Sequence, residues 1–129
     1  MTVLLDTHAL LWWLLDDARL SGPAREAIAD PRHTVLVSGA SGWEIATKHR
    51  LGKLGLEPWD PRALPGILEV ERIEVLPVSV ADGLEAGLLP GPHRDPFDRM
   101  LIAQSRIHDL PVVSLDPVFP EYGVSVIWD

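Results

Sequence analysis

Five short apolar runs, Thr2 to Leu5, Thr34 to Val37, Glu74 to Val78, Pro111 to Leu115 and Val124 to Trp128, are rich in β-branched residues and bounded by turn formers, which predicts strands. Between them the apolar positions recur at helical spacing. The first such stretch, Thr7 to Leu15, is apolar almost all round, with Leu10, Leu11, Trp12, Trp13, Leu14 and Leu15. One face of it belongs in a core and the other meets another element or another chain. A second helix starts at Pro23 behind Ser21, turns Ala24, Ala27 and Ile28 inward and stops before Pro31; a third runs from Gly42 to about Leu51. Leu56 to Pro65 reads as an irregular connection, and short helices follow at Leu64 to Arg72 and Val80 to Leu88. The loop LPGPHRDP leads into a long helix, DPFDRMLIAQSRIHD, whose packing stripe is Phe97, Met100, Leu101, Gln104 and Ile107. Trp12 and Trp43 read as packing residues. This alternation of strand and helix predicts an α/β layer fold with a mostly parallel sheet.

Carboxylates stand at the junctions of that pattern. Asp6 follows VLL and Asp116 follows VVSL, at the carboxyl edge of the sheet where ligands bind in such folds. Glu44 lies one helical turn into the element after TVLVS, while Asp95 and Asp98 open the long helix. Helix capping explains each acid singly as well as chemistry does. Asp6 can cap THALLWWLL, Asp95-Pro96 and Asp116-Pro117 have the form of a cap followed by proline, and Ser41 with Glu44 has capping-box spacing. The set is harder to explain that way, because asparagine, serine and threonine also cap, yet every junction uses an acid. Asp95 and Asp98 are three apart on one helical face, so one can cap while the other, off the packing stripe, projects into a pocket.

Composition narrows the chemistry. The 129 residues fit one domain spanning 1–129. Cysteine is absent, which removes disulfides, thiolate nucleophiles and sulfur-based zinc sites. ALLWWLL is too short to span a bilayer and Asp6 interrupts any signal-peptide core, so a soluble cytoplasmic protein with no membrane segment is expected. The net charge of −8 argues against a general nucleic-acid binder without excluding one. Two bound divalent cations would bring −8 to −4, leaving a surface attractive to a basic partner, and KHRLGK could still guide a phosphate backbone.

If the acids converge, pairs about 4 Å apart repel by roughly 4 kcal/mol at an effective dielectric of 20. Either some are protonated with raised pKa, or divalent cations sit among them. An all-oxygen carboxylate set suits Mg²⁺ or Mn²⁺ better than zinc, and such ions activate water and steady a phosphoryl transition state. The chemistry implied is metal-assisted phosphodiester hydrolysis.

LLDTHALLWWL, SGWEIATKHRLGKL, HRDPFDRMLIAQ and VVSLD with its following F..YGV resemble the PIN-domain ribonucleases, in particular the VapC-type toxins of toxin–antitoxin pairs, in the right order over almost the whole chain. The resemblance implies a three-layer α/β/α fold, a Mg²⁺- or Mn²⁺-dependent endoribonuclease acting on single-stranded RNA, homodimers, and inhibition by a basic antitoxin. It makes Asp6, Glu44 and Asp98 the core acids and Asp116 a more variable fourth, all expected to be catalytic and metal-binding. Asp95 belongs to the subfamily's DPFDR motif and serves as a cap or an outer contact.

Thr7 offers a hydroxyl beside Asp6 for a metal-bound water, a phosphate or only its local backbone. Lys48, Arg50, Arg94 and Arg99 are candidate RNA contacts, and Lys48 is equally the i+4 ion-pair partner of Glu44. His93, ahead of Asp95, could approach substrate, whereas His8, His33, His49 and His108 read as structural or exposed. Two other functions fit the acids: a Mg²⁺-dependent phosphohydrolase or receiver-like phosphoacceptor, although Thr7-His8 follows Asp6 where such phosphatases show a second Asp, and a non-enzymatic acidic module that binds a basic peptide.

Overall fold

β1 (Thr2–Leu5) is the middle strand of a five-stranded, wholly parallel sheet, with its Val3, Leu4 and Leu5 completely buried. The computed structural model describes residues 1–55 and 59–129. After β1 the chain forms α1 (Thr7–Leu14), α2 (Gly22–Ala29), β2 (Thr34–Ser38) and α3 (Gly39–Arg50). A 3-10 turn (Pro61–Ala63) leads to α4 (Leu64–Val70), β3 (Glu74–Leu76), α5 (Val80–Leu88) and α6 (Pro96–His108). β4 (Val112–Val113), α7 (Val118–Glu121) and β5 (Val126–Ile127) complete it. Strand order is β3-β2-β1-β4-β5.

Alternation along the strands divides the core into two. Val3, Leu5, Val35, Val37 and Val113 face one side, against Leu10 and Leu11 of α1, Ile28 of α2, Ile45 of α3 and Leu68 of α4. Leu4 and Val112 face the other, against Leu101 and Ile102 of α6 and Phe119 of α7. Two covered faces are what parallel strands require, and together they make the three-layer α/β/α arrangement.

The chain winds outward from β1 to β2 and β3, then returns to lay β4 on the other flank of β1. That reversal opens a crevice beyond the carboxyl ends of β1 and β4, the general ligand position in such sheets.

Several boundaries differ from the sequence reading. α3 begins three residues earlier than Gly42, because Ser38 caps it by accepting from Ala40 N at 3.0 Å. Ser41 therefore lies inside the helix and no capping box with Glu44 forms. β4 and β5 hold two residues each, although just before them Pro111 O still accepts from Leu4 N at 3.0 Å and Ser125 O from Val112 N at 2.9 Å. On α6 the buried face is Leu101, Ile102, Ala103, Gln104 and Ser105, and Ile107 is exposed. α7 was not expected. Of the irregular connection from Leu56 to Pro65, residues 56–58 lie outside the described residues, and the remainder contains the 3-10 turn and the start of α4.

The apolar outer face of α1 is met mostly by its own chain. Trp12 contacts the Trp128 ring edge-on at 5.8 Å and carries the Arg19 guanidinium at 5.0 Å, and Trp13 Nε1 donates to Glu71 at 3.2 Å. Trp43 is not a core residue: it is 61% exposed, with one edge on Phe97. Among the described residues no helix is long and apolar enough to cross a membrane.

Candidate metal centre

Asp6 leaves β1 directly, and its backbone N–H still donates to Val113 O of β4 at 3.2 Å, which fixes it at the crevice. Its Oδ1 caps α1 by accepting from Ala9 N at 2.7 Å. Capping and the pocket are thus not alternatives here, because Asp6 caps α1 and also lines the pocket. Glu44 comes from the second turn of α3 and Asp98 from the first turn of α6. Asp116 follows β4, where its N–H donates to Ser114 Oγ and its Oδ1 accepts from Val118 N, both at 3.0 Å.

These elements bring Asp6, Thr7, His8, Glu44, Lys48, Asp95, Asp98 and Asp116 around one small pocket of about 110 Å³. Arg50, Arg94 and Arg99 are not on its wall. Arg50 and Arg94 are exposed, whereas every guanidinium nitrogen of Arg99 donates to a backbone carbonyl. Asp95 Oδ1 accepts from Phe97 N at 2.8 Å and Asp98 N at 3.2 Å, so Asp95 is the helix cap and also lines the pocket.

Burial and mutual repulsion show in the protonation of the acids. Desolvation pushes Asp6 up to about 6, against the opposing pull of Ser114, Ala9 N–H and His8, and Asp98 adds to the rise. Asp98 is raised as well, first by burial, with His93 resisting and Asp95, Asp116 and Glu44 repelling. Two of the carboxylates have partners inside the chain. Lys48 Nζ bonds Glu44 Oε2, and His93 Nε2 lies 2.9 Å from Asp98 Oδ2. Burial works against the Lys48 charge, but Glu44, and more weakly Asp95 and Asp98, hold its ammonium above the ordinary range. The Thr7 hydroxyl lies 2.6 Å from Glu44 Oε1 and 2.9 Å from Ser41 Oγ, which ties α1 to α3 beneath the pocket.

Among the described residues no three His, Asp or Glu side chains close on a common point as a finished ligand set. The donor chemistry nevertheless fits a hard divalent cation. Five carboxylates face one ammonium around a pocket of this size, and an all-oxygen set with excess negative charge is what Mg²⁺ and Mn²⁺ take.

Ser41, Ser114 and His93 complete the surroundings of the acids. In the sequence Ser41 reads only as a cap and His93 only as a substrate approach. The signal for Ser114 is its position two residues before Asp116, at a strand end.

The family model for the PIN domain matches residues 3–124. Among solved structures the chain is similar to one in VapBC2 from Rickettsia felis bound to a DNA fragment from their promoter, with TM-score 0.72, 14% identity and 100% of both chains covered. It is also similar to a chain of a toxin–antitoxin complex from Klebsiella pneumoniae, with TM-score 0.57, 14% identity and coverage of 88% of this chain and 86% of that one. A chain of FitAcB from Neisseria gonorrhoeae gives TM-score 0.53 at 19% identity, covering 98% and 96%. At these identities the likeness is one of fold. No curated protein matches the chain.

Proposed function

The chain belongs to the PIN domain family, and from that premise we propose that it is a Mg²⁺- or Mn²⁺-dependent endoribonuclease that hydrolyses single-stranded RNA, the toxin of a toxin–antitoxin pair. The observation that carries the reading is the meeting of acids from separate elements in one crevice at the β1/β4 switch point, with Asp6 and Asp98 both raised in pKa. The similar chain from Klebsiella pneumoniae belongs to a toxin–antitoxin complex, which supports the biological setting. Cytoplasmic action fits the same reading.

Asp6, Glu44 and Asp98 would hold the cation, with Asp116 beside them. When bound, a divalent cation of this kind polarises a phosphoryl oxygen and makes water a nucleophile near neutral pH. The chain's own part is positioning. Thr7 and Lys48 each hold one oxygen of Glu44, Ser114 supports Asp6, and His93 supports Asp98. Lys48, part-exposed at the pocket wall, is the group best placed to meet a phosphate. Arg50 and Arg94, exposed farther out, suit contacts along the strand. The expected products carry a 5′-phosphate and a 3′-hydroxyl.

Partners follow from the surface. Val80, Leu84 and Leu88 form an exposed apolar stripe at i, i+4 and i+8 on α5. Near it lies a mostly apolar groove of about 520 Å³ lined by Gly39, Ala40, Trp43, Val78 and Met100. A stripe of this kind supports a homodimer. The net charge of −8 supports a basic antitoxin.

The decisive experiment incubates a single-stranded RNA oligonucleotide with the purified protein and Mn²⁺ or Mg²⁺. Cleavage that chelation stops, and that Asp6→Asn or Asp98→Asn abolishes, is the expected result. Cleavage unchanged in both variants would sink the site assignment.

A further inference from the structure

The loop of residues 89–95 between α5 and α6 is held from three sides, and the strongest hold is Arg99. α5 ends without a backbone cap, so its last carbonyls need donors from elsewhere. Arg99, one turn into α6, supplies them. Its Nε donates to Ala86 O at 2.9 Å, and its Nη2 donates to Leu89 O at 2.6 Å and to Gly87 O at 3.4 Å. A cation at a helix C-terminus is also favoured by the helix dipole. The remaining nitrogen, Nη1, donates to His93 O at 2.9 Å.

The other two holds restrict the same loop. Gly91 has φ +96°, a conformation other residues rarely adopt, and a Cβ there would stand 2.6 Å from the Tyr122 hydroxyl. Asp95 closes the loop by capping α6. The one loop side chain thereby aimed at a pocket carboxylate is His93, whose Nε2 meets Asp98 Oδ2 at 2.9 Å. With a carboxylate as acceptor, Nε2–H is the donor, and the contact orients the ring toward Asp98.

We propose that Arg99 is a positioning residue for the candidate centre: it joins the carboxyl end of α5 to the His93 main chain and so holds the imidazole against Asp98. Arg99 then acts through the chain and not through a phosphate of the substrate. A planar guanidinium with donors spread along a fork spans these separated carbonyls, whereas a lysine ammonium places all its donors at one point. The functional weight of this arrangement rests on the reading of Asp98 as a metal-site carboxylate. Groups that orient metal-binding carboxylates typically alter metal affinity about 10–100-fold when replaced.

The test has two readouts. Nitrogen-15 NMR of the metal-free protein should show the His93 Nε2–H as a slowly exchanging signal. Arg99→Met should abolish it while the amide signals of the parallel sheet stay in place. If Arg99→Met does not fold, Arg99→Lys decides instead. Persistence of the signal in the folded variant overturns the proposal. In Mn²⁺ calorimetry, Arg99→Met and His93→Gln should each weaken binding about 10–100-fold, and the double variant should be no weaker than the worse single one. Full additivity would show that Arg99 acts independently of His93 and would overturn it too. Should the wild-type protein bind no Mn²⁺, the metal-site reading fails, and the NMR result still judges the clamp by itself.

Discussion

Asp6, at the start of α1, and Asp82, in the first turn of α5, are both buried aspartates at helix starts, with 7% and 1% of their surface exposed. Burial pushes both carboxyls up. At Asp82 the rise is overcome by the Ser79 backbone N–H, the Gln104 amide and the Ser79 hydroxyl, with His108 adding, so the group ends below the ordinary range. Its Oδ2 accepts from Ser79 N and from Gln104 Nε2, both at 3.0 Å. Asp6 has fewer donors and an acidic neighbour, and ends at about 6. Asp82 is held by fixed donors on Oδ2, while its Oδ1 has only the His108 ring at 3.6 Å. Asp6, with fewer donors and Asp98 nearby, keeps its raised value, the condition expected of a carboxylate placed to take up a charge from outside.

The largest effect that could break this contrast is on cleavage. Asp6→Asn or Asp98→Asn should bring metal-dependent RNA hydrolysis to background, whereas Asp82→Asn should leave it readily measurable. The next is on stability and runs the other way. Asp82→Ala leaves the Ser79 N–H without an acceptor and the Gln104 amide with Pro77 O alone, which should cost about 3 kcal/mol in urea unfolding.

Asp6→Asn should instead stabilise the metal-free protein. The folded-state value near 6 lies above the ordinary 3.8, so the folded protein holds this proton more tightly than the unfolded chain. The favourable contribution of Asp6 is complete below about pH 4 and is lost as pH rises through 6. Asparagine keeps the cap to Ala9 without the buried charge. The advantage of the variant should therefore grow from pH 4 to 6 and level off by pH 7 at about 2–3 kcal/mol, read from denaturant melts across that range. The smallest expected effect concerns the surface. Leu84→Glu should change monomer stability by no more than about 0.5 kcal/mol, yet on the proposed homodimer reading it should lower the mass read by light scattering from dimer to monomer.

The strands were legible because apolar β-branched runs bounded by turn residues have few other uses, and β1 and α5 keep their expected limits. The acids were legible as junction residues, but their geometry was not. That Asp6 uses one oxygen as a cap and still lines the pocket depends on β4 lying beside β1, a long-range pairing that local pattern does not encode. The start of α3 is not legible because Gly39 and Gly42 disguise a helix whose cap, Ser38, is also the last residue of a strand. Nor is the role of Asp82, because its partner Gln104 is 22 positions away and reads as part of an apolar stripe. The carbonyl partners of Arg99 were illegible for a related reason: they belong to another helix and its following loop.

The most direct measurement is the thermal melting of wild type and Asp98→Asn at pH 7 over a series of Mn²⁺ concentrations. A metal centre built on Asp6, Glu44 and Asp98 predicts that the wild-type melting temperature climbs with Mn²⁺, because the ion binds only the folded state, and that Asp98→Asn barely responds. An equal rise in both proteins, or no rise in the wild type, would contradict it.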